Sequence, residues 1–197
     1  MRRLIAIAFL AFATSALAAP PGKVMHTWLS PSRTVEAQAF MESVEEPRKI
    51  YLHLANDNEH WVLLCEYGRD AGVVFAPNEA WLAVNDYELS NFAHIRLFER
   101  RAQLEYAESK LDPSGSAWAL LRKLYRVPYP AGLDHAYSEA LRWSPDSSAI
   151  MVRLWGHADL DRNVDDWLCV YSISSRGASV NLSILNRSSV VFKKPKK

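Results

Sequence analysis

The chain has 197 residues, of which 49% are hydrophobic and 11% aromatic, so it can build a packed core and is not intrinsically disordered. Its formal net charge is +1, but without Arg2, Arg3 and the four lysines of the C-terminal KKPKK segment, 17 basic and 22 acidic residues remain. A body with a net charge near −5 lacks the basic field of a nucleic-acid surface, which argues against nucleic-acid binding.

The first eighteen residues are typical of an export signal. Two arginines follow the initiator methionine, Leu4 to Phe12 form an apolar core, and residues 16–18 read Ala-Leu-Ala, a small-x-small cleavage site. The apolar core is too short for a mature transmembrane helix, which disfavours the alternative of a retained signal anchor. We therefore expect a periplasmic or secreted chain with no membrane span, made of one β-rich domain at 19–192 and a basic tail at 193–197.

Three short turns that contain proline divide the mature chain. They are Ser30-Pro31-Ser32-Arg33, Ala76-Pro77-Asn78-Glu79 and Ser144-Pro145-Asp146-Ser147. Each turn follows one apolar or aromatic strand pattern and precedes a second, and two further strand patterns come after it. The sequence therefore predicts three units of four antiparallel strands, at about 24–68, 72–109 and 139–184.

A helix is predicted between the second and third units. The prolines Pro77 and Pro145 are 68 residues apart, against 46 for Pro31 and Pro77. The extra residues begin at Asp112, which suits an N-cap, and continue with apolar side chains at helical spacing until Pro128. We therefore predict one α-helix at about 113–126.

The segments SPDSSAIMV and APNEAWLAV, each followed by a further strand such as CVYS or IRLF, resemble blades of the TolB-like and WD40-like β-propeller superfamily. The turn of that family usually reads Ser-Pro-Asp-Gly, and here Ser147 and Glu79 replace the glycine. The resemblance implies an all-β, propeller-like fold and no particular activity. Closed propellers have about four to eight blades, so three units either pair with another chain or form a compact domain. A β-sandwich is the alternative fold.

The two cysteines leave two alternatives open. In an exported chain, Cys65 and Cys169 can form one disulfide. Both lie in strongly apolar strand patterns, however, where a free cysteine packs as a small hydrophobic residue. The sequence alone therefore predicts either a disulfide or two buried thiols.

The most polar pattern follows the second strand of the third unit, and it forms the candidate binding site. Its residues are Trp155, His157, Asp159, Asp161, Asn163 and Asp165. The spacing of Asp159, Asp161 and Asn163 matches the first three oxygen ligands of a Ca²⁺ loop. Val164 then stands where that loop has glycine, and Val170 where it has glutamate. We therefore expect no cofactor, with Ca²⁺ as the weaker alternative.

The sequence contains none of the short motifs of serine hydrolases, zinc enzymes or phosphate-binding loops. We therefore expect a non-catalytic binding or structural module whose partner is a protein or a cell-envelope polymer. One alternative is a hydrolase that uses loop carboxylates such as Asp86, Asp159 and Asp161. The other is an inhibitor of a secreted enzyme that presents the loop at 156–166.

Overall fold

The computed structural model describes residues 19–126, 133–158 and 162–186. The predicted signal peptide, the basic tail at 193–197 and Pro128 lie outside these ranges. Among the described residues, no helix is both long and apolar enough to cross a membrane.

The first unit is a four-stranded antiparallel sheet whose strands pair in sequence order. Its strands are β1 (Lys23–Leu29), β2 (Val35–Met41), β3 (Arg48–Leu54) and β4 (Val62–Tyr67). Side chains alternate between the two faces of a strand, and along β2 the small residues Val35, Ala37 and Ala39 take the inner face. All three are 0% exposed, so the alternation in the sequence fixes which face is buried.

The second and third units have the same order of antiparallel strands. The second unit contains β5 (Asp70–Phe75), β6 (Trp81–Leu89), β7 (Phe92–Arg100) and β8 (Tyr106–Glu108), and the third contains β9 (His135–Trp143), β10 (Ala149–Ala158), β11 (Arg162–Ser172) and β12 (Gly177–Ser179). A short parallel bridge joins the two units into one eight-stranded sheet, since Phe92 and Ala93 pair with Ala136 and Tyr137. A 3-10 helix follows at Leu182–Asn186.

The prediction of a mainly β fold with one helix is confirmed, and its strands form two sheets. A propeller arrangement is not confirmed, because the sheets do not close on one another over the described residues. The parallel bridge between β7 and β9 was not predicted. It joins residues more than forty positions apart, and no local pattern in the sequence encodes such a pairing.

The predicted helix is present as α1 (Pro113–Tyr125). Its N-cap is Asp112, whose Oδ1 accepts a hydrogen bond from the Gly115 N–H at 2.8 Å. It ends at Arg126, which has a φ of 57° and donates its N–H to the Arg122 carbonyl at 2.9 Å. The inner side of the helix, with Trp118 and Leu121, packs into the core of the second and third units.

The buried apolar residues form two main clusters. One lies between the first and second units and includes Ile50, Leu52, Val73, Leu82 and Phe98. The other lies between the second unit, α1 and the third unit. Burying each large aliphatic side chain contributes about 1.5–3 kcal/mol. Side-chain packing therefore holds the first unit against the second, and α1 against the second and third units.

The three proline turns share one backbone geometry. In each, the fourth residue donates its N–H to the carbonyl of the first, at 2.8, 2.8 and 2.9 Å along the chain. These fourth residues, Arg33, Glu79 and Ser147, have φ angles of 61°, 57° and 61°. This is a hairpin turn that ends in a left-handed residue, the position at which glycine is favoured. The repeat predicted from the sequence therefore exists at the level of backbone conformation.

The turns also bond to one another, and we call this set the turn row. The Ser32 N–H donates to Glu79 Oε1 at 2.8 Å, and the Asn78 N–H donates to Ser147 Oγ at 3.0 Å. The third residue of one turn thus binds the side chain of the fourth residue in the next turn. Arg33 holds that fourth position in the first turn, and its side chain has no acceptor oxygen.

Glu79 is the most constrained residue of the turn row. Glu79 is only 6% exposed, and its Oε2 lies 3.4 Å from Arg100 Nη1. Burial works to raise the pKa of this carboxyl, but the hydrogen bonds from Ser32 and Ser30 and the charge of Arg100 outweigh it and lower the pKa. The charged form of Glu79 is therefore the one that the fold stabilises.

The disulfide alternative is wrong, because both cysteines are free and buried. Cys65 lies on β4 in the first sheet and Cys169 on β11 in the other sheet, each within its own apolar cluster. Burial raises the pKa of both thiols to about 12, so they stay protonated and unreactive near neutral pH.

Candidate functional site

The candidate site lies at the end of the molecule opposite the turn row, which we call the upper end. Strand β10 leaves the third turn and reaches this end at His157, where β9 begins. A cavity of about 680 Å³ is found here, the Trp155 pocket. It is lined by Asp134, Trp155, Gly156, His157, Asn163, Val164, Asp165 and Asp166.

The structure brings together four of the six residues that the sequence singled out. Trp155, His157, Asn163 and Asp165 all line the Trp155 pocket. Asp159 and Asp161 lie outside the described residues. Asp134 and Asp166 also line the pocket and were not predicted.

Three cross-strand pairs hold the wall of the pocket, and we call them the β9–β10 ladder. In register they are Arg153 with Glu139, Trp155 with Tyr137, and His157 with His135. Alternate residues of a strand share a face, so all three pairs lie on the same side of the sheet. The rings of Trp155 and Tyr137 stack at 5.1 Å and 16°, and those of His157 and His135 at 4.1 Å and 19°.

Arg153, in the pair next to Trp155, holds the indole in place. Its guanidinium carbon lies 4.6 Å from the centroid of the Trp155 ring. The same guanidinium donates to Glu139 and, at 3.4 Å, to Asp166 Oδ1. A cation–π contact of this kind contributes about 0.5–2 kcal/mol. The indole is thus held in place by a stacked phenol and a paired cation.

A β-bulge places two carboxylates opposite Trp155. Leu154 pairs with Trp167 and Gly156 with Val164, so the single residue Trp155 faces both Asp165 and Asp166 on β11. Asp166 has a φ of 45°. Bulges of this type redirect side chains and are frequent beside functional sites. The only sequence signal for it is an Asp-Asp pair at the start of a strand pattern, where aspartate is disfavoured.

Gly156 permits the close approach of β9 and β10 at the pocket. A Cβ atom added to Gly156 would lie 2.2 Å from the carbonyl oxygen of His135. Only glycine fits such a backbone contact without displacing a strand. The Gly-His sequence therefore brings the two histidine rings into contact.

The lining of the Trp155 pocket is polar and mainly acidic. Asp134, Asp165 and Asp166 are exposed carboxylates that accept hydrogen bonds from amines and hydroxyls. Among the residues that line the pocket, none has a hydroxyl, thiol or amine side chain to act as a nucleophile. Across the described part of the chain, no group of three or more His, Cys, Asp or Glu side chains is arranged to hold a metal. Asn163 is the only described member of the predicted Ca²⁺ ligands.

Asp86, named as a carboxylate for the hydrolase alternative, lies in β6 away from the Trp155 pocket. It is 4% exposed, accepts the Gly68 N–H at 3.0 Å and lies 3.3 Å from Arg96 Nη1. These partners occupy the carboxylate and tie the end of β4 to the second unit. Asp86 therefore has a structural role.

The comparisons with known proteins give a loose likeness of fold. No family model and no curated protein matches the chain. Among solved structures, the crystal structure of TolB from Acinetobacter baumannii is similar, with a TM-score of 0.48 and 12% sequence identity. The alignment covers 80% of this chain and 31% of the TolB chain, so this chain spans about a third of that protein's length.

Proposed function

We propose that the mature chain is an exported, non-catalytic module that binds a protein or a cell-envelope polymer through the Trp155 pocket. The observation that carries the proposal is the β9–β10 ladder, which holds an indole rigidly at the rim of an open cavity.

Rigidity of Trp155 favours binding. Ordering a flexible side chain at an interface costs about 0.5–1.5 kcal/mol. Stacking on Tyr137 and the contact with Arg153 fix this indole before any partner arrives. Tryptophan and arginine are also the residue types that dominate binding energy at protein interfaces.

The charge of the pocket indicates which groups of a partner it favours. Three exposed carboxylates face the cavity, and among the described residues Asp166 alone of the three has an ion-pair partner, Arg153. An excess of negative charge attracts amines and basic side chains and repels acidic ones. The carboxylates also accept hydrogen bonds from the hydroxyls of a polysaccharide.

A capture experiment tests the proposal. The mature chain, Trp155→Ala, Trp155→Phe and the control Leu141→Ala are immobilised and exposed to periplasmic and envelope fractions. Leu141 is 37% exposed on β9, at the end near the turn row. Proteins and glycans are quantified by mass spectrometry.

We expect one species that wild type, Trp155→Phe and Leu141→Ala enrich, and that Trp155→Ala enriches at least about tenfold less, since an anchor residue carries about 2 kcal/mol. Enrichment by Trp155→Ala equal to wild type contradicts the proposal. Turnover of ester, peptide or glycan substrates by the purified chain favours the hydrolase alternative.

The export component has its own test. The full-length chain is expressed in a Gram-negative host, and the intact mass of the periplasmic product is measured. A product that begins at Ala19 supports export with cleavage after Ala18, whereas an uncleaved chain in the cytoplasm contradicts it.

A further inference from the structure

A second cavity, of about 450 Å³, lies at the upper end beside the ladder. Tyr137, whose ring stacks on Trp155, lines this cavity, while Trp155 lines the other one. Arg48 comes from the start of β3, Arg69 from the β4–β5 turn and Tyr87 from the end of β6. We call it the Arg48 pocket.

The Arg48 pocket carries an excess of positive charge. Two guanidiniums, of Arg48 and Arg69, line it, and neither forms an ion pair or side-chain hydrogen bond with any described residue. The one carboxylate in the lining belongs to Asp70, whose Oδ1 accepts the Ala71 N–H at 2.9 Å and lies 3.1 Å from His26 Nε2. Two cations that line one cavity with a single carboxylate leave a net positive charge, and a bound anion is attracted to it.

The other walls of the pocket are rigid and apolar. The Tyr137 hydroxyl donates to the Ser90 carbonyl, which holds this ring in place. Burial, reinforced by Glu139, raises the pKa of Tyr87 to about 12, so this phenol stays neutral. Both rings therefore offer apolar faces. Met25 and Leu89 complete the rim with side chains that are 37% and 55% exposed.

We propose that the Arg48 pocket binds an oxyanion, a carboxylate or a phosphate, carried on an apolar group. The guanidinium fork matches the two oxygens of either anion, and charge-assisted hydrogen bonds of this type are about twice as strong as neutral ones. Arg48 is only partly exposed, which strengthens its field in the cavity. The apolar group of the ligand lies against Tyr87, Tyr137 and Leu89. This site has a different lining from the Trp155 pocket and does not depend on the function proposed for it.

Calorimetric titration with four small probes tests the site. N-acetylphenylalanine presents a carboxylate on an apolar group, and phenyl phosphate presents a phosphate. N-acetylphenylalanine amide lacks the charge, and acetate lacks the apolar group. We expect saturable millimolar or tighter binding of at least one of the first two probes, and at least about tenfold weaker binding of the amide and of acetate. The stronger of the two charged probes identifies the anion.

Substitutions of single arginines distinguish binding in the Arg48 pocket from nonspecific attraction of anions to a positive charge. Arg69→Ala removes an exposed side chain, and Arg48→Gln keeps the volume of a partly buried one. Arg142→Ala is the control, because it removes the same charge from an exposed position far from Tyr137 on β9. We expect at least about tenfold weaker binding in the first two variants and no change in the control. Thermal melts confirm that each variant is folded.

Three outcomes overturn the proposal: no binding of either charged probe at millimolar concentration, equal binding of the amide, or undiminished binding in folded Arg69→Ala. Trp155→Ala is titrated in parallel. If this variant still binds the charged probes, the Arg48 pocket binds anions independently of Trp155. The proposal for the Arg48 pocket then holds even where the function proposed for the Trp155 pocket is contradicted.

Discussion

The two ends of the molecule differ, although the same strands run between them: one end repeats a single turn conformation, and the other differs from unit to unit. At the turn row, three hairpins repeat one backbone conformation, and side chains of Glu79 and Ser147 bond each turn to its neighbour. At the upper end the three units diverge. One has a bulge with two carboxylates, and residues of all three units line a cavity whose two arginines have no ion-pair partner among the described residues. The repeated end therefore stabilises the fold, and the divergent end carries the two cavities for which we propose binding.

Residue conformation sharpens this contrast. The left-handed residues of the turn row occur at the same position of each turn, so they belong to the repeat. Asp166, also left-handed, occurs in the third unit at a bulge beside the Trp155 pocket. Backbone strain that is confined to one unit points to a local role.

The largest effect on stability is expected at Glu79. Glu79→Ala removes the acceptor of the Ser32 N–H and the carboxylate partner of Arg100 Nη1, and loss of a buried, charge-assisted partner costs about 3 kcal/mol. Urea unfolding measures the free energy, with exposed Glu105→Ala as the control. Equal free energies of unfolding for Glu79→Ala and wild type would contradict the claim that the turn row stabilises the fold.

The pH dependence of stability tests the same carboxylate. The folded state lowers the pKa of Glu79 below its ordinary value of 4.5, so its contribution is present above pH 4.5 and is lost as the pH falls through the lowered pKa. We expect Glu79→Gln to lose less stability than wild type between pH 5 and pH 3, two values that bracket that range. Parallel urea titrations measure this, and identical pH profiles contradict the assignment.

At the upper end, the largest stability effect is expected at Gly156. Gly156→Ala forces a Cβ against the His135 carbonyl, and such a clash costs about 1–3 kcal/mol and shifts β9 from β10. Gly177→Ala is the matched control, because its Cβ would meet its nearest atom at 3.8 Å. Thermal unfolding and the near-ultraviolet signal of the stacked rings report the change. An unperturbed Gly156→Ala would show that the ladder does not depend on this approach.

Smaller effects distinguish the turns from one another. Arg33→Gly relieves a left-handed residue whose side chain cannot accept a hydrogen bond, and we expect the substitution to stabilise the chain by about 1 kcal/mol. Ser147→Gly relieves the same strain but removes the acceptor of the Asn78 N–H, so its net effect should be near zero. Thermal unfolding measures both effects. Equal stabilisation by the two substitutions would show that the hydrogen bond from the Asn78 N–H to Ser147 contributes nothing to stability.

Local chemistry explains what the sequence predicted well. Proline turns, strand alternation and the Asp112 N-cap each act within a few residues, so three four-strand groups and α1 were predictable. The clustering of Trp155, His157, Asn163 and Asp165 followed because they lie on one hairpin.

The rest depends on the exact register of paired strands and, for the Arg48 pocket, on contacts between distant segments. The bulge that adds Asp166 depends on the register between β10 and β11. The Arg48 pocket assembles residues from five strands and two turns. The stack of Tyr137 on Trp155 requires the pairing of β9 with β10 across the third turn. A single sequence contains no signal for these juxtapositions, because each residue type alone is ordinary in its strand.

Hydrogen-exchange mapping of the captured partner complex tests the central claim most directly. The account predicts added protection in β9 and β10 at residues 135–139 and 153–157 and in β11 at 163–166. It predicts no change at the turn row, at 30–33, 76–79 and 144–147. Protection centred on the turn row, with the ladder unchanged, would contradict the assignment of recognition to the upper end.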